Sequence, residues 1–263
     1  MGPLDLLITG GTIVDGTGAA AFAGAVGVQA GPPGTDATLV VLRDEAAIAA
    51  AAESAHRVID ATANVVAPGF IDLHSHSGLM ILADPVLEPK VRQGVTTEVI
   101  GVDGLSYAPF HDPRRLAELV EMNAGLDGHP EIACDWDTVE SYLRRFDLGV
   151  GPNIAFVVGN SALRLGAIGW DEVEADERAI ASMRSMLAEA MAEGAFGVSS
   201  GLDYPPGAYA STGELASLAN EAAKRGGFYH THVRYTLGDR FLDPFREAIE
   251  IGRRGEADRK SVV

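Results

Sequence analysis

The fold is decided by the stretch Val66-Ala67-Pro68-Gly69-Phe70-Ile71-Asp72-Leu73-His74-Ser75-His76. The apolar run in its middle predicts a strand that leads directly into two histidines. Residues i and i+2 of a strand face the same side, about 6.6 Å apart, so His74 and His76 can converge on one ion. Neutral imidazole is a natural zinc ligand. A hydrogen-bonded pair of histidines is the alternative. The preceding Pro68-Gly69 and Asp72, which lies one pleat before His74 and could support a ligand histidine with its carboxylate, favour a metal site.

An apolar run followed by small or polar residues recurs four more times along the chain. The runs begin near residues 70, 95, 154, 196 and 228, and helical periodicity is clearest over 174–193, 212–225 and 243–254. Strands that alternate with helices predict βαβ units and a parallel sheet. The C-terminal ends of such strands carry the chemistry. The last run ends in His230-Thr231-His232, and His232, which is nearest the strand end, is favoured as a ligand over His230.

The residues before this region predict a small β unit. Apolar residues on both sides of Thr9-Gly10-Gly11-Thr12 predict two short strands joined by a tight turn. Residues 19–36 are rich in alanine, glycine and proline, and we expect a loop there. Further strand patterns and one alanine-rich helix or loop follow, at 38–42, 57–60 and 65–66 for the strands and 45–55 for the helix or loop.

The chain of 263 residues is acidic, with 20 Lys and Arg against 37 Asp and Glu and a net charge of −17. A field of this sign repels nucleic acid and anionic membranes, so we expect neither as a partner. The sequence has no basic leader before an apolar run and no apolar stretch of about 18 residues, so we expect a cytoplasmic protein. The single cysteine, Cys134, agrees with a reducing compartment. Nothing in the composition indicates an oligomeric state.

Several motifs resemble a known family. The stretch quoted above resembles the first-strand signature of the amidohydrolase superfamily, and Leu7 to Gly18 resembles its small N-terminal β-sandwich. More specific motifs are similar to the N-acyl-D-amino-acid deacylase (D-aminoacylase) branch, and together the motifs span about residues 4 to 255. These are Gln93-Gly94-Val95-Thr96-Thr97-Glu98-Val99-Ile100-Gly101, Gly159-Asn160-Ser161-Ala162-Leu163-Arg164, Gly197-Val198-Ser199-Ser200-Gly201-Leu202-Asp203-Tyr204-Pro205-Pro206 and His230-Thr231-His232-Val233-Arg234.

The resemblance implies an α/β protein with a metal-dependent (β/α)₈ barrel, one or two zinc ions, and a metal-activated water that deacylates N-acyl-D-amino acids, which are linear amides. In the family, the residues that match His74 and His76 bind one zinc site, and the residue that matches His232 binds the other. This sequence has Asp103 where the family has a zinc-binding cysteine. We expect Asp103 to replace that ligand, since carboxylate oxygens bind zinc at about 2.0–2.2 Å. A role in capping the loop is the alternative.

The resemblance also suggests what to expect of Tyr204, Arg234 and Asn160. Tyr204 and Arg234 lie at strand ends and are predicted to hold the small-molecule N-acyl amino acid substrate, Arg234 through its planar two-donor fork. The alternatives are that Tyr204 shapes a loop and that Arg234 makes a surface ion pair. Asn160 stands where the branch more often has histidine, and its role is open. The family's proton-shuttling aspartate follows the eighth strand, so we expect it beyond the chain end and assign no catalytic residue.

The strand spacing predicts that the chain is an inactive fragment. At about 40 residues per unit, the 31 residues after His232 cannot hold three further strands, so we expect a barrel truncated after about five strands. We divide the chain into part of a small β-sandwich at 1–66, a partial barrel at 67–257 and a non-native tail at 258–263. The codons of that tail can match a common sequencing adapter.

Two other functions stay open. A cyclic-amide hydrolase of the dihydroorotase or hydantoinase type would share the first-strand signature. Such enzymes commonly use a carboxylated lysine on the fourth strand, but the fourth run, Phe196 to Ser200, has no lysine. A non-catalytic scaffold with a decayed site is supported only by Asp103.

Overall fold

A computed structural model describes residues 3–32, 35–235 and 238–262 of the chain. The chain forms two compact units, Met1–Gly69 and Phe70–Val263. Within the described residues, every helix is too short or too polar to span a lipid bilayer.

The first unit contains two small sheets and one helix. Its elements are β1 (Leu6–Thr9), β2 (Thr12–Ile13), β3 (Phe22–Ala23), β4 (Ala25–Gln29), β5 (Thr38–Leu42), α1 (Glu45–Ser54), β6 (Val58–Asp60) and β7 (Val65–Val66). One sheet has the strand order β5-β4-β1-β6, and the other has the order β3-β2-β7. Helix α1 begins after Asp44, whose side chain accepts a hydrogen bond from the backbone N–H of Ala47.

Two expectations for this unit are wrong. Strands β1 and β2 do not form a hairpin, because β1 pairs with β4 and β6 while β2 pairs with β3 and β7. Gly10, with φ +80°, provides the turn at which the chain leaves one sheet for the other. The 19–36 segment is not a loop throughout, since it supplies β3 and β4. Its small residues pack closely: Ala25 is fully buried, and the side chain of Leu4 fills the space where Gly27 would carry a Cβ.

The second unit is a parallel sheet whose strands alternate with helices. Its strands are β8 (Phe70–Asp72), β9 (Val95–Ile100), β10 (Asn153–Gly159), β11 (Gly197–Gly201), β12 (Phe228–His232) and β13 (Asp258–Val262). Neighbouring strands are parallel in the order β13-β12-β11-β10-β9-β8. Its helices are α2 (Met80–Ala83), α3 (Glu88–Val91), α4 (Pro113–Asp127), α5 (Val139–Leu143), α6 (Asn160–Ala167), α7 (Glu177–Ala192), α8 (Thr212–Ala223) and α9 (Asp243–Arg254), with 3₁₀ turns at Phe146–Leu148, Gly207–Tyr209 and Gly238–Arg240.

The core of this unit lies between the sheet and its helices. Met183 and Leu187 of α7 are fully buried, in one cluster with Val158 of β10 and Val198 of β11. Helix α7 begins after Asp176, whose carboxylate accepts a hydrogen bond from a backbone N–H of the first turn. The site described below lies at the C-terminal ends of these strands.

The sheet has one strand more than we expected. Strand β13 pairs in parallel with β12, with Asp258 opposite Phe228 and Val262 opposite Thr231. The expectation of a barrel truncated after about five strands is confirmed, and β13 adds to it at the sheet edge, where pairing needs only backbone N–H and C=O groups. The non-native origin of 258–263 stays a prediction, and its last residue, Val263, lies outside the described residues.

Candidate metal centre

Five ionisable side chains meet at the C-terminal ends of three strands. His74 and His76 follow β8, Asp103 follows β9, and His230 and His232 lie at the end of β12. We call these five residues the strand-end cluster. The parallel sheet brings the ends of its strands to the same edge, which is why residues up to 158 positions apart in sequence come together.

Asp103 is at the centre of the cluster. Its Oδ2 atom lies 3.1 Å from His74 Nε2, 3.2 Å from His76 Nε2 and 3.7 Å from His232 Nδ1. Asp103 is buried, with 4% of its surface exposed, and has a positive φ of 55°, which aspartate tolerates better than most residues. A tight turn with glycine at 101 and 104, both at positive φ, places the carboxylate among the histidines.

The residues present fit a divalent metal ion. Ligand atoms on a tetrahedral zinc ion with bonds of about 2.0–2.1 Å lie about 3.3 Å apart. The closest ring-to-carboxylate distances to Asp103 are 3.1 and 3.2 Å, from Nε2 of His74 and Nε2 of His76. One ligand atom from each of His74, Asp103 and His230 also lies within 4.8 Å of the other two. Eight buried side-chain atoms have no hydrogen-bond partner among the described residues, and three of them belong to the strand-end cluster: Asp103 Oδ1, His230 Nδ1 and His232 Nε2. Buried polar atoms are rarely left unpaired, so their presence here favours a bound ion.

The protonation states follow from burial and from the carboxylates. Burial alone would raise the pKa of Asp103, but hydrogen bonds from His74 and His76 hold it well below its usual value. Burial opposes the charged form of His76, but hydrogen bonds to Asp103 and Asp127 raise its pKa to about 9. Burial and the neighbouring histidines lower the pKa of His230 to about 4, so that ring is neutral and able to ligate.

Asp127, which sequence reasoning missed, orients His76. Its Oδ1 atom lies 2.7 Å from His76 Nδ1, and its Oδ2 atom accepts a hydrogen bond from the hydroxyl of Tyr107. Burial, together with the Asp127 carboxylate, raises the pKa of Tyr107, so Tyr107 stays a donor. Asp127 is the last residue of α4, 51 residues after His76, and no local motif links the two.

Asp72 does not have the role that we expected. Its Oδ1 atom accepts a hydrogen bond from the backbone N–H of His74 at 3.0 Å, and its other oxygen binds Lys90. The carboxylate therefore supports the backbone before the first histidine, and it does not hold an imidazole ring. The strand ends after Asp72, so the regular pleat on which the expectation depended does not continue to His74.

Tyr204 and Asn160 hold the loops around Asp103. The Tyr204 hydroxyl donates to the backbone carbonyl of Asp103 at 3.0 Å, and its ring centroid lies 5.8 Å from that of His232. Asn160 is fully buried and donates from Nδ2 to the carbonyl of Gly207 while its Oδ1 accepts from the N–H of Gly201. Asn160 therefore fixes both ends of the loop that carries Tyr204.

Arg234 forms an ion pair, which is the alternative to substrate binding that the sequence left open. Its Nε donates to Glu247 at 3.0 Å, and its two terminal nitrogens donate to the backbone carbonyls of Ala208 and Ala210. All three nitrogens of the guanidinium thus have partners within the protein. Its role in binding substrate stays a prediction, as do the roles of Tyr204 and of the four predicted metal ligands.

Known proteins share this sequence and this arrangement of strands. A D-aminoacylase of Alcaligenes xylosoxydans xylosoxydans is 36% identical over 253 residues, which is 95% of this chain and 48% of that protein. A crystal structure of D-aminoacylase, 33% identical, matches with a TM-score of 0.82 and covers 98% of this chain and 51% of that chain. The chain is a homologue of the D-aminoacylases. An N-acyl-D-glutamate deacylase of Bordetella bronchiseptica, solved with zinc and a phosphonate inhibitor, matches at 34% identity and a TM-score of 0.81 over 98% of this chain and 50% of that one.

The relationship to D-aminoacylases confirms the resemblance drawn from the motifs. It also confirms the fold class, since the parallel sheet forms part of a (β/α)₈ barrel of the amidohydrolase type. The chain spans about half the length of the curated relatives that it matches. No protein-family model matches it.

Proposed function

We propose that this chain belongs to a zinc-dependent hydrolase of linear amides that deacylates N-acyl-D-amino acids. The observation that carries the proposal is the strand-end cluster, in which one carboxylate oxygen faces three imidazoles and three buried atoms lack a hydrogen-bond partner in the part of the chain that the structure describes. The similarity to a D-aminoacylase and to an N-acyl-D-glutamate deacylase that was solved with zinc supports the same interpretation.

The predicted ligands of the ion are His74, His76, Asp103 and His232. When bound, zinc supplies a Lewis acid for the amide carbonyl and lowers the pKa of water towards neutrality. The protein's part is to hold the ligands in position. Asp127 accepts the Nδ1 proton of His76, which leaves Nε2 as the nitrogen of that ring that would face a bound ion.

Tyr204 contributes by fixing the loop of Asp103. Its hydroxyl donates to the Asp103 backbone carbonyl, and its ring centroid lies 5.8 Å from that of His232. Burial and the Asp103 charge raise the pKa of the Tyr204 phenol, which keeps its proton on the oxygen. A neutral phenol beside the centre can contact the acyl group or the amino-acid side chain of a substrate.

The cyclic-amide alternative needs a lysine that can be carboxylated. Strand β11 contains none, and Lys90, the lysine between β8 and β9, is paired with Asp72 and Glu98. Burial opposes its charge, but hydrogen bonds to these two carboxylates raise the pKa of Lys90. Carboxylation requires a neutral amine, so this lysine is unsuited to it. No observation favours a cyclic-amide hydrolase or a scaffold over a deacylase.

The test is an assay of the full-length gene product on paired N-acyl-D- and N-acyl-L-amino acids. We expect release of the free amino acid from the D series only, loss of that activity after chelation, and recovery with zinc. A His129→Ala variant is a matched control, since His129 is exposed and lies outside the strand-end cluster. A zinc-loaded protein that hydrolyses neither series would contradict the proposal. The cytoplasmic location and the lack of nucleic-acid and membrane partners stay predictions.

A further inference from the structure

We propose that Arg234 is a positioning residue, which holds the loop after β11 and thereby sets the position of the Tyr204 side chain beside the strand-end cluster. We call residues 202–211, between β11 and α8, the Tyr204 loop. The inference rests on the proposed function, because it gives Arg234 a part in that reaction without contact with the substrate. It also gives a part to Glu247 of α9, which holds Arg234.

Arg234 reaches the Tyr204 loop from the neighbouring strand, since it follows β12. Its two terminal nitrogens donate to the backbone carbonyls of Ala208 and Ala210, and its Nε donates to the Glu247 carboxylate at 3.0 Å. A planar guanidinium directs its donors at several acceptors in fixed directions, whereas the ammonium of lysine is a compact point charge. An arginine at this position is therefore suited to fixing two carbonyls of one loop.

Glu247 connects Arg234 to the far end of the loop. Its Oε1 atom accepts a hydrogen bond at 3.0 Å from the hydroxyl of Thr212, the first residue of α8. The side chains of Arg234 and Glu247 are 29% and 20% exposed, so solvent screens their ion pair less than it screens a pair on the open surface. The pair thus links the ends of β12 and of the Tyr204 loop to α9.

The turn that Arg234 holds includes the backbone of Tyr204. The N–H of Ala208 donates to the carbonyl of Tyr204 at 2.9 Å, and the carbonyl of Ala208 accepts from Arg234. The Tyr204 hydroxyl in turn donates to the carbonyl of Asp103 at 3.0 Å. A displacement of Ala208 would therefore move Tyr204 relative to Asp103.

A direct contact between Arg234 and the substrate is the competing assignment. Each nitrogen of the guanidinium already donates within the protein, so turning the fork towards a substrate carboxylate would remove its contacts with the loop. Ala210 is 2% exposed, and a buried carbonyl that loses its donor is costly. These contacts favour an action of Arg234 through the loop.

The first test observes Tyr204 by fluorine NMR in the full-length gene product, labelled with fluorotyrosine and kept free of metal and substrate. The Tyr204 signal is the one that Tyr204→Phe removes. Arg234→Met, Arg234→Lys and Glu247→Leu should each shift or broaden it, whereas Glu247→Gln, which keeps an acceptor for Nε, should largely restore it. The control is Arg253→Met, since this arginine of α9 is 69% exposed and pairs only with Glu250 among the printed contacts of its helix, and it should leave the signal unchanged.

The second test measures hydrolysis of N-acyl-D-amino acids by the same protein in excess zinc. Arg234→Met should lower kcat/KM at least about tenfold, because a small misplacement of a group at the substrate costs up to about 100-fold. In a protein that already carries Tyr204→Phe, the same change should cost less than about threefold, since it acts through Tyr204. A direct substrate contact predicts that the two losses multiply, and that result would overturn the inference.

The outcomes separate this inference from the proposed function. If wild type is active and Arg234→Met leaves either the fluorine signal or kcat/KM unchanged, the inference is wrong and the proposed function stands. If zinc-loaded wild type hydrolyses no N-acyl-D-amino acid, the proposed function fails, and the fluorine signal alone decides whether Arg234 holds Tyr204. Circular dichroism checks the fold of each variant, and Glu247→Leu tests the same contacts with Arg234 intact.

Discussion

Two clusters of charged and polar side chains lie beside β8 and β9, and the charges of their carboxylates are balanced in different ways. The lysine cluster consists of Lys90, Asp72, Glu98, Ser75 and Ser77. In it, the ammonium group contacts Asp72 and, at 3.1 Å, the fully buried Glu98, whose second oxygen accepts a hydrogen bond from Ser77. The strand-end cluster has histidines around one carboxylate, and three of its buried atoms have neither a hydrogen-bond partner nor an ion-pair partner among the described residues. In the lysine cluster, Glu98 Oε1 also lacks a hydrogen bond, but it forms the ion pair with Lys90.

The difference shows how a structural ion cluster can be told from a metal site. A permanent cation such as Lys90 neutralises the carboxylates beside it and has no need of a further ion. Histidines are neutral near physiological pH unless a carboxylate holds their proton, so a cluster of them keeps lone pairs available. Removing a member of the lysine cluster should therefore reduce stability, whereas removing a member of the strand-end cluster should reduce metal binding.

The largest expected effect is on the stability of the lysine cluster. Lys90→Met should lower the free energy of unfolding by about 3 kcal/mol, because it leaves the buried Glu98 carboxylate without its cation. The low end of the usual range applies because the Lys90 side chain is 30% exposed. Urea denaturation of the metal-free protein measures this.

The matched control for that variant is Lys224→Met, at the exposed C-terminal end of α8. It should change the free energy of unfolding by less than about 0.5 kcal/mol. If the Lys90→Met protein were as stable as wild type but bound zinc more weakly, Lys90 would act on metal binding and not on stability. That result would contradict the difference between the two clusters.

The next effect is on zinc affinity at the centre of the strand-end cluster. Asp103→Asn keeps the shape of the side chain and its tolerance of positive φ, but it removes the charge that faces three histidines. Loss of an outer partner of a ligand costs about 10- to 100-fold in affinity, so loss of the ligand itself should cost at least about 100-fold. Competition with a chromophoric chelator measures the affinity, and unchanged zinc binding would remove Asp103 from the centre.

A smaller loss of zinc affinity should follow from Asp127→Asn. The amide can no longer accept the His76 proton as a carboxylate does, so the ring loses its fixed orientation, and affinity should fall about 10-fold. Tyr107→Phe removes only the hydrogen bond to Asp127 and should have a smaller effect. Equal affinities for wild type and Asp127→Asn would show that Asp127 has only a structural role.

The smallest effect is a pH dependence of stability in the metal-free protein. The folded-state pKa of His76 is raised to about 9, above the ordinary value of 6.5. Its contribution to stability is therefore fully present below pH 6.5 and is lost as the pH rises through about 9. Thermal unfolding in chelator from pH 6.5 to 9 should show a declining melting temperature in wild type, and His76→Gln should flatten that decline. The same slope in both proteins would exclude His76 as its source.

Features encoded within a few residues could be predicted from the sequence, and features that depend on distant partners could not. The five apolar runs, the two His-x-His pairs and the unusual Asp103 are local patterns, and the structure brings all of these ionisable residues to one edge of the sheet. Asp127 was missed because its partner lies 51 residues away, before α2, α3, β9 and α4. The predicted hairpin is wrong because β1 pairs with β4 in one sheet, whereas β2 pairs with β7 in the other.

The distinction between His230 and His232 illustrates the same limit. Both histidines lie at the end of one strand with i, i+2 spacing, so the sequence indicates that they face one side. Which ring approaches His74 depends on the register of β12 against β11, where His230 lies opposite Ser199 and His232 opposite Gly201. That register follows from packing of the whole sheet.

X-ray absorption spectroscopy of the zinc-loaded protein tests the central claim most directly. The account predicts a first shell of nitrogen and oxygen atoms alone, at about 2.0–2.2 Å, with the outer-shell scattering typical of imidazole. A sulfur atom at about 2.3 Å, which could come only from Cys134 or a methionine, would contradict it. Zinc that is removed completely by dialysis would contradict it as well, because the strand-end cluster would then hold no ion.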